Sequence, residues 1–368
     1  MKMGVKELNT ADLVEYGYTG FDGKLDSVDK KVYRLKNDYM EVLLSNFGPT
    51  ILAINVPKIK ENGNEHESEL ENILLGHKDF NDYLDDKSYI GKIAVGQWAN
   101  RISNAEYFDE NLLMDGHRRN FKNVKLFPND GPNNLHSEPL GWSSKMWDVR
   151  AEGESIVFSL NLKEGNHDFP GNIKTEVKVS LSDDNELKFE YIGETDKSTP
   201  FNPTFHGYFN LSAGLGTIKD HVLTSNADRY MELSSSKVPV NDDAINEVSS
   251  TRYDFRKGLK IGSDEFYEKE GYDSCLVFPN KTKGIAEVYH PGTKRFVEMT
   301  TDQKAFHFYT GYWLEKPFNK SQGFCLEAER PVDIVNRPNW WAEFGTPFTQ
   351  PKETYEQKTT YKFGRLKK

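Results

Sequence analysis

Between residues 172 and 195 apolar side chains fall on every second position. Ile173, Thr175, Val177, Val179 and Leu181 alternate with polar residues; after the turn cluster Ser182-Asp183-Asp184-Asn185 the pattern resumes in Leu187, Phe189 and Tyr191. Side chains that change face at each residue specify strands, and a single apolar face means a single buried face. The turn residues between the runs make the pair a hairpin. The same logic predicts a strand at 155–162 (SIVFSLNL), two strands around Gly48-Pro49 within 39–57, and a second hairpin at 284–301 turned by Pro291-Gly292. Helical periodicity is scarce, with short helices predicted at 79–84 and within 10–16. The polar stretch 58–71 (KIKENGNEHESELE) reads as an exposed loop. Many strands with few helices between them imply an all-β sandwich or barrel. No linker rich in Gly, Ser or Pro divides the chain, so one domain is expected.

Composition narrows the function classes. The 368 residues carry a formal charge of −10, and the short basic tail 364–368 is the only Lys/Arg-rich run, which argues against a nucleic-acid partner. No apolar run approaches the roughly 20 residues that span a bilayer, and the N-terminus lacks an apolar signal core. A cytoplasmic protein with no membrane partner is expected. The two cysteines, Cys275 and Cys325, lie in apolar runs and read as buried, reduced thiols. Phosphate-loop, dinucleotide and nucleophile-elbow motifs are missing, and His66-Glu67 fails the HExxH pattern because the fifth residue is Leu70. Neither a cofactor nor a metal is expected.

What remains is polar residues set in apolar and aromatic frames. His206 lies in FNPTFHGYFNL (201–211) and Glu327 in GFCLEAERPVDIVNRPNW (323–340). A polar side chain in such a setting must find partners or bear the cost of desolvation. One histidine and one glutamate presented in this way suggest an acid and a base aimed at a shared small molecule. GQWANRI (96–102), NDGPNNLHSEPLGW (129–142) and GYDSCLVF (271–278) add Asn100, Arg101, His136 and Asp273. Each alone has an ordinary structural explanation: a satisfied core histidine, a salt-bridged arginine, a turn-capping aspartate.

Taken in order, these segments resemble the aldose 1-epimerases, also called galactose mutarotases. FGPTILAINVP, ENILLGHKDFNDYL, GQWANRI, GPNNLH, DFPGN, DDNELKFEY, HGYFNL, GYDSCLVF, YTGYWL and LEAERPVDIVNRPNW follow one another from about residue 38 to about 348. The resemblance implies the family's β-supersandwich, in agreement with the all-β reading. The domain would occupy 36–368, with 1–35 an N-terminal extension packed on or flanking it. It implies that Glu327 is the base taking the proton from the C1 hydroxyl of a free aldose, galactose, glucose or similar. His206 would be the acid that protonates the ring oxygen. His136, Asp273, Arg101 and Asn100 would bind the sugar, and Trp142, Tyr312 and Trp313 are candidates to stack on it. A nearby carboxylate is expected to help keep His206 protonated. The alternatives are a mutarotase for another sugar, such as a disaccharide, and a non-catalytic carbohydrate-binding protein on the same fold. The chain is expected to be a monomer or homodimer. Ser137-Glu138, Phe205, Ser274, Gln97 and Glu329 depart from the family pattern beside these residues, which bears on sugar specificity; Glu138 would sit at the pocket rim.

Overall fold

The computed structural model describes residues 4–109, 123–263, 267–280 and 282–366. Three large antiparallel sheets account for most of it. The nine-stranded sheet is built around the predicted hairpin, now seen as strands Ile173–Leu181 and Glu186–Thr195. The long strand Thr354–Arg365 pairs with Glu186–Thr195 on one side and Arg295–Thr301 on the other, so the end of the chain closes the middle of the sheet. The alternation does what it predicts. Val177, Val179, Phe189, Tyr191, Val297 and Tyr361 point inward and meet Val42, Leu44, Ile51, Ile54 and Ile93 of the seven-stranded sheet in one continuous core. Each such side chain contributes about 1.5–3 kcal/mol through burial.

The seven-stranded sheet runs Gly4–Leu8, Val32–Lys36, Glu41–Ser45, Thr50–Ile59, Lys92–Val95 and Thr204–His206, with Glu65–Asn72 branching from Thr50–Ile59. Its first strand comes from the N-terminal segment, whose Leu13, Tyr18 and Phe21 pack with Phe80 and Tyr83 in a second apolar cluster. The predicted short helices are Thr10–Glu15 and Phe80–Asp85, each started by a capping side chain, Asn9 and Asp79.

The expected loop at 58–71 is instead an extension of the sheet. Thr50–Ile59 continues into it and pairs with Glu65–Asn72, placing Val56 opposite Glu71 and Pro57 opposite Leu70. Polarity here marks an outer, water-facing ribbon: charged side chains such as Lys58 and Glu69, 2.9 Å apart, protect an edge from further pairing.

The turn at Gly48 has a backbone reason for its residue. Its φ is +53°, and a Cβ there would lie 1.9 Å from the Ser143 carbonyl oxygen. Its N–H donates to the Lys145 carbonyl at 2.7 Å, tying the turn to the segment that carries Trp142. Gly48→Ala should therefore destabilise the fold by about 3 kcal/mol or more, from the left-handed backbone and the collision together. Urea denaturation would measure this as a lower midpoint at unchanged slope.

Candidate active site

Thr204–His206 is the outer strand of the seven-stranded sheet, and Cys325–Glu329 is the outer strand of the five-stranded one. The two edges meet: Thr204 Oγ1 donates to the Ala328 carbonyl at 3.0 Å. Their register decides which side chains converge. In the five-stranded sheet Cys275 lies opposite His307, and His307 opposite Glu327; Asp273 lies opposite Tyr309, and Tyr309 opposite Cys325. Directly paired residues share a face. One face therefore carries Asp273, His307, Tyr309, Glu327 and Glu329, while Leu276, Phe306, Phe308, Leu326 and Ala328 on the other enter the main core.

A cavity of about 420 Å³ opens over this junction. All six residues singled out from the sequence, Asn100, Arg101, His136, His206, Asp273 and Glu327, line it. Trp313 stands at its edge. Trp142 does not reach it: that ring is 1% exposed and packs edge-on to Trp147 in the core, as the apolar residues around it demand. Tyr312 is also held away from it, with the Lys320 ammonium 3.3 Å from its ring centre and its hydroxyl donating to the Lys269 carbonyl.

His206 and Glu327 form the heart of the cavity, with Nε2 and Oε2 3.5 Å apart. Burial pushes the His206 imidazole down to about 4. Burial, followed by the negative charges of Glu329 and Asp273, pushes the Glu327 carboxyl well above the usual range. Both shifts place the pair's proton on Glu327, so the contact joins two neutral groups. This corrects the expectation that a neighbouring carboxylate keeps His206 protonated: the carboxylate is there, but desolvation outweighs it. Cys325 Sγ lies 3.6 Å from His206 Nδ1, and burial raises that thiol as well. Among the described residues, His206, Cys325 and Glu327 are the one cluster spaced to hold a cation. Its thiol and carboxyl are biased toward their protonated, non-ligating forms.

The surrounding hydrogen bonds fix the donors. His136 Nδ1 accepts from the Asn100 N–H at 3.1 Å, which makes His136 an Nε2–H tautomer with its second nitrogen free to donate. Burial also drives His136 well below its ordinary value, so this donor is neutral. Arg101 Nε donates to Asp130 at 2.6 Å. Tyr89, Asn100 and His136 all hold φ values of 57–60°, a left-handed strain gathered at one cavity.

His307 was not identified from the sequence. Its Nε2 lies 2.7 Å from Asp273 Oδ1, and the Asn100 amide donates to both His307 Nδ1, at 3.1 Å, and Glu329 Oε1, at 2.9 Å. Burial works to raise Asp273, but the His307 hydrogen bond and the charges of Lys237 and Arg101 hold it well below the carboxylate range. The available signal was the one that exposed His206: a histidine inside an apolar strand, here AFHFY.

Behind this row lies Glu329, 0% exposed, pushed up to about 8 by burial despite the bond from Asn100. A carboxyl raised from 4.5 contributes its stability fully below that value and loses it as pH rises toward 8. Glu329→Gln keeps an acceptor for Asn100 and removes the titration. Its stability relative to the wild type should therefore improve between pH 5 and pH 8, by on the order of 2 kcal/mol. Urea denaturation at the two pH values would show it; a constant difference would contradict the assignment.

The other departures sit away from the cavity. Phe205 points to the core against Phe189 and Tyr361. Gln97 is buried, donating to Thr199 and Pro200. Ser137 Oγ caps the Trp98 backbone. Glu138 does not reach the rim of this cavity: it accepts from Ser143 and faces a separate hollow that also contains the buried Lys92.

Comparison with known proteins agrees with this geometry. The family model described as aldose 1-epimerase matches residues 31–362. Galactose mutarotase of Bos taurus is 30% identical over 343 residues, covering 90% of this chain and 93% of that protein. Aldose 1-epimerase of Escherichia coli K12 is 30% identical over 355 residues, covering 91% and 96%. Among solved structures, an aldose epimerase homologue from C. elegans superposes with a TM-score of 0.78 at 25% identity, covering 90% of this chain and 97% of that one. The galactose 1-epimerase of Lactobacillus acidophilus gives a TM-score of 0.79 at 23% identity over the whole of both chains. With the fold, the match across the chain and the relatives in accord, the chain belongs to the aldose 1-epimerase family.

Proposed function

We propose that this protein interconverts the α and β anomers of a free aldose by opening and reclosing the sugar ring, with Glu327 as base and His206 as acid. The observation that carries this reading is their placement: an acid and a base 3.5 Å apart, buried in a cavity ringed by neutral and charged hydrogen-bond partners. Glu327 takes the proton from O1, and C1=O1 forms as the C1–O5 bond breaks. The electrons of that bond pass to O5, which takes the proton from His206. Rotation about C1–C2 presents the other face of the aldehyde, and the same steps run backwards.

Ring opening moves the pair from ionised Glu327 and protonated His206 to neutral Glu327 and neutral His206. Burial favours the second arrangement, as both pKa directions record. The ionised pair that starts each ring opening is therefore the less populated protonation state of the free protein, and the proton transfers of each opening return the pair to its neutral form. His136 offers an N–H, Arg101 a cation and Asp273 an ionised acceptor, which together hold the sugar while C1 turns.

The test is polarimetry of freshly dissolved α-galactose and α-glucose. The protein should speed the approach to equilibrium without altering the endpoint. A sugar-binding protein without catalysis would leave the rate at its buffer value.

A further inference from the structure

The hollow that holds Glu138 has a volume of about 530 Å³ and lies beside the catalytic cavity. Tyr89 and Leu135 line both and form the partition between them. Lys92, the first residue of strand Lys92–Val95, reaches into this hollow. It is 2% exposed, yet no ion pair joins it to a carboxylate among the described residues. Its Nζ donates one hydrogen bond, to the Phe47 carbonyl at 3.3 Å, and sits 3.9 Å from the centre of the Phe47 ring. Three N–H donors thus meet one peptide acceptor. A buried ammonium is normally paired, because desolvation is costly without a counter-charge. Burial pushes Lys92 down to about 7, against the opposing pull of Asp86 and Glu138.

The acids around it are engaged elsewhere. Asp86 takes the N–H groups of Ser88 and Ile90 on its two oxygens, at 3.0 and 2.7 Å. Glu138 accepts from the Ser143 hydroxyl at 2.6 Å, and burial raises its carboxyl toward the neutral form. Much of the remaining wall is apolar, with Phe47, Tyr83, Leu84 and Pro139 among its residues. A buried cation with spare donors in a largely apolar hollow has the make-up of a small-molecule site. Charge then selects the ligand. One ammonium matches one negative charge. A phosphate carries more than one, and Asp85 and Asp86 in the same wall repel the excess. A neutral molecule leaves the ammonium uncompensated.

We propose that this hollow binds a small monocarboxylate with an apolar body, its carboxylate on Lys92 Nζ and its body against Phe47 and Tyr83. The site is separate from His206 and Glu327, and it stands or falls independently of the anomer-interconverting reading above.

Isothermal titration calorimetry of the full-length protein with benzoate and hexanoate tests it, with benzamide and inorganic phosphate as further arms. At least one of the two carboxylates should bind, and benzamide, which has the shape of benzoate without its charge, should bind at least about tenfold more weakly. Phosphate should not compete. Lys92→Met should weaken the carboxylate by roughly tenfold to a hundredfold, the worth of a lost charge-assisted hydrogen bond. Met keeps the length of the side chain and removes a buried charge, so the variant should fold, which thermal unfolding would verify. Glu138→Gln, which keeps an acceptor for Ser143, should retain binding. The benzoate and benzamide comparison in the wild type needs no variant and tests the role of charge by itself. Failure of both carboxylates to bind, equal affinity for benzamide and benzoate, or unchanged affinity in folded Lys92→Met would each overturn the site. Displacement of the bound carboxylate by galactose would also overturn it, by placing the ligand in the catalytic cavity.

Discussion

Glu327→Gln lowers kcat for anomer interconversion by roughly 10³–10⁴-fold, while leaving KM within a few-fold of the wild type. Gln fills the same space and still hydrogen-bonds a sugar hydroxyl, so ground-state binding survives. It has no lone pair basic enough to take the O1 proton. A positioned proton transfer contributes about 10²–10⁴-fold, and this base serves both ring opening and reclosure, which places the effect near the upper end. The substitution also removes a carboxyl whose pKa burial and two neighbouring carboxylates raise, so the variant should be no less stable than its parent. Loss of activity in a well-folded variant separates chemistry from collapse. Polarimetry together with thermal unfolding on the same preparation provides both readings.

His206→Asn lowers kcat by roughly 10²–10⁴-fold, because the amide donates a hydrogen bond to the ring oxygen without surrendering a proton. Its neighbourhood allows the exchange: His206 makes a weak 3.6 Å contact with Cys325 and ring contacts with Tyr89, His136 and Tyr208. The double variant with Glu327→Gln should lose scarcely more than the worse single one. The two groups act as one proton-transfer unit, and such units are non-additive. Additive losses would mean that the two side chains work in separate steps.

Much of the architecture was legible in the chain. Period-two alternation at 173–181 and 187–191 set both the strands and their inward faces, because a strand with one buried face has little freedom in register. The stretch 58–71 misled because an outer ribbon is polar on both faces and looks like a loop until its partner is known. His206 and Glu327 stood out as polar side chains in apolar frames, and the structure brings them to one cavity. His307 carried the same signature, yet its importance lies in pairing with Asp273 across two strands, a contact 34 residues apart that no local pattern encodes. Protonation was the least legible property. Neighbouring charges can be guessed from motifs, but the near-complete burial that reverses the His206 state exists only in the folded chain. The departures at Gln97 and Phe205 proved to be packing choices; the Phe205 ring packs against Phe189 and Tyr361 and in turn requires Gly207, where a Cβ would lie 2.2 Å from it.

The central claim is that Glu327 takes the O1 proton while His206 gives one to the ring oxygen, opening the sugar ring, and that the reverse transfers reclose it. Magnetisation exchange between the C1 protons of α- and β-galactose, recorded at equilibrium, tests it most directly. With the wild-type protein, cross-peaks should link the two anomers on a timescale of seconds or less; with folded Glu327→Gln or His206→Asn they should fall toward the uncatalysed level. Cross-peaks of wild-type intensity in either variant would contradict the account.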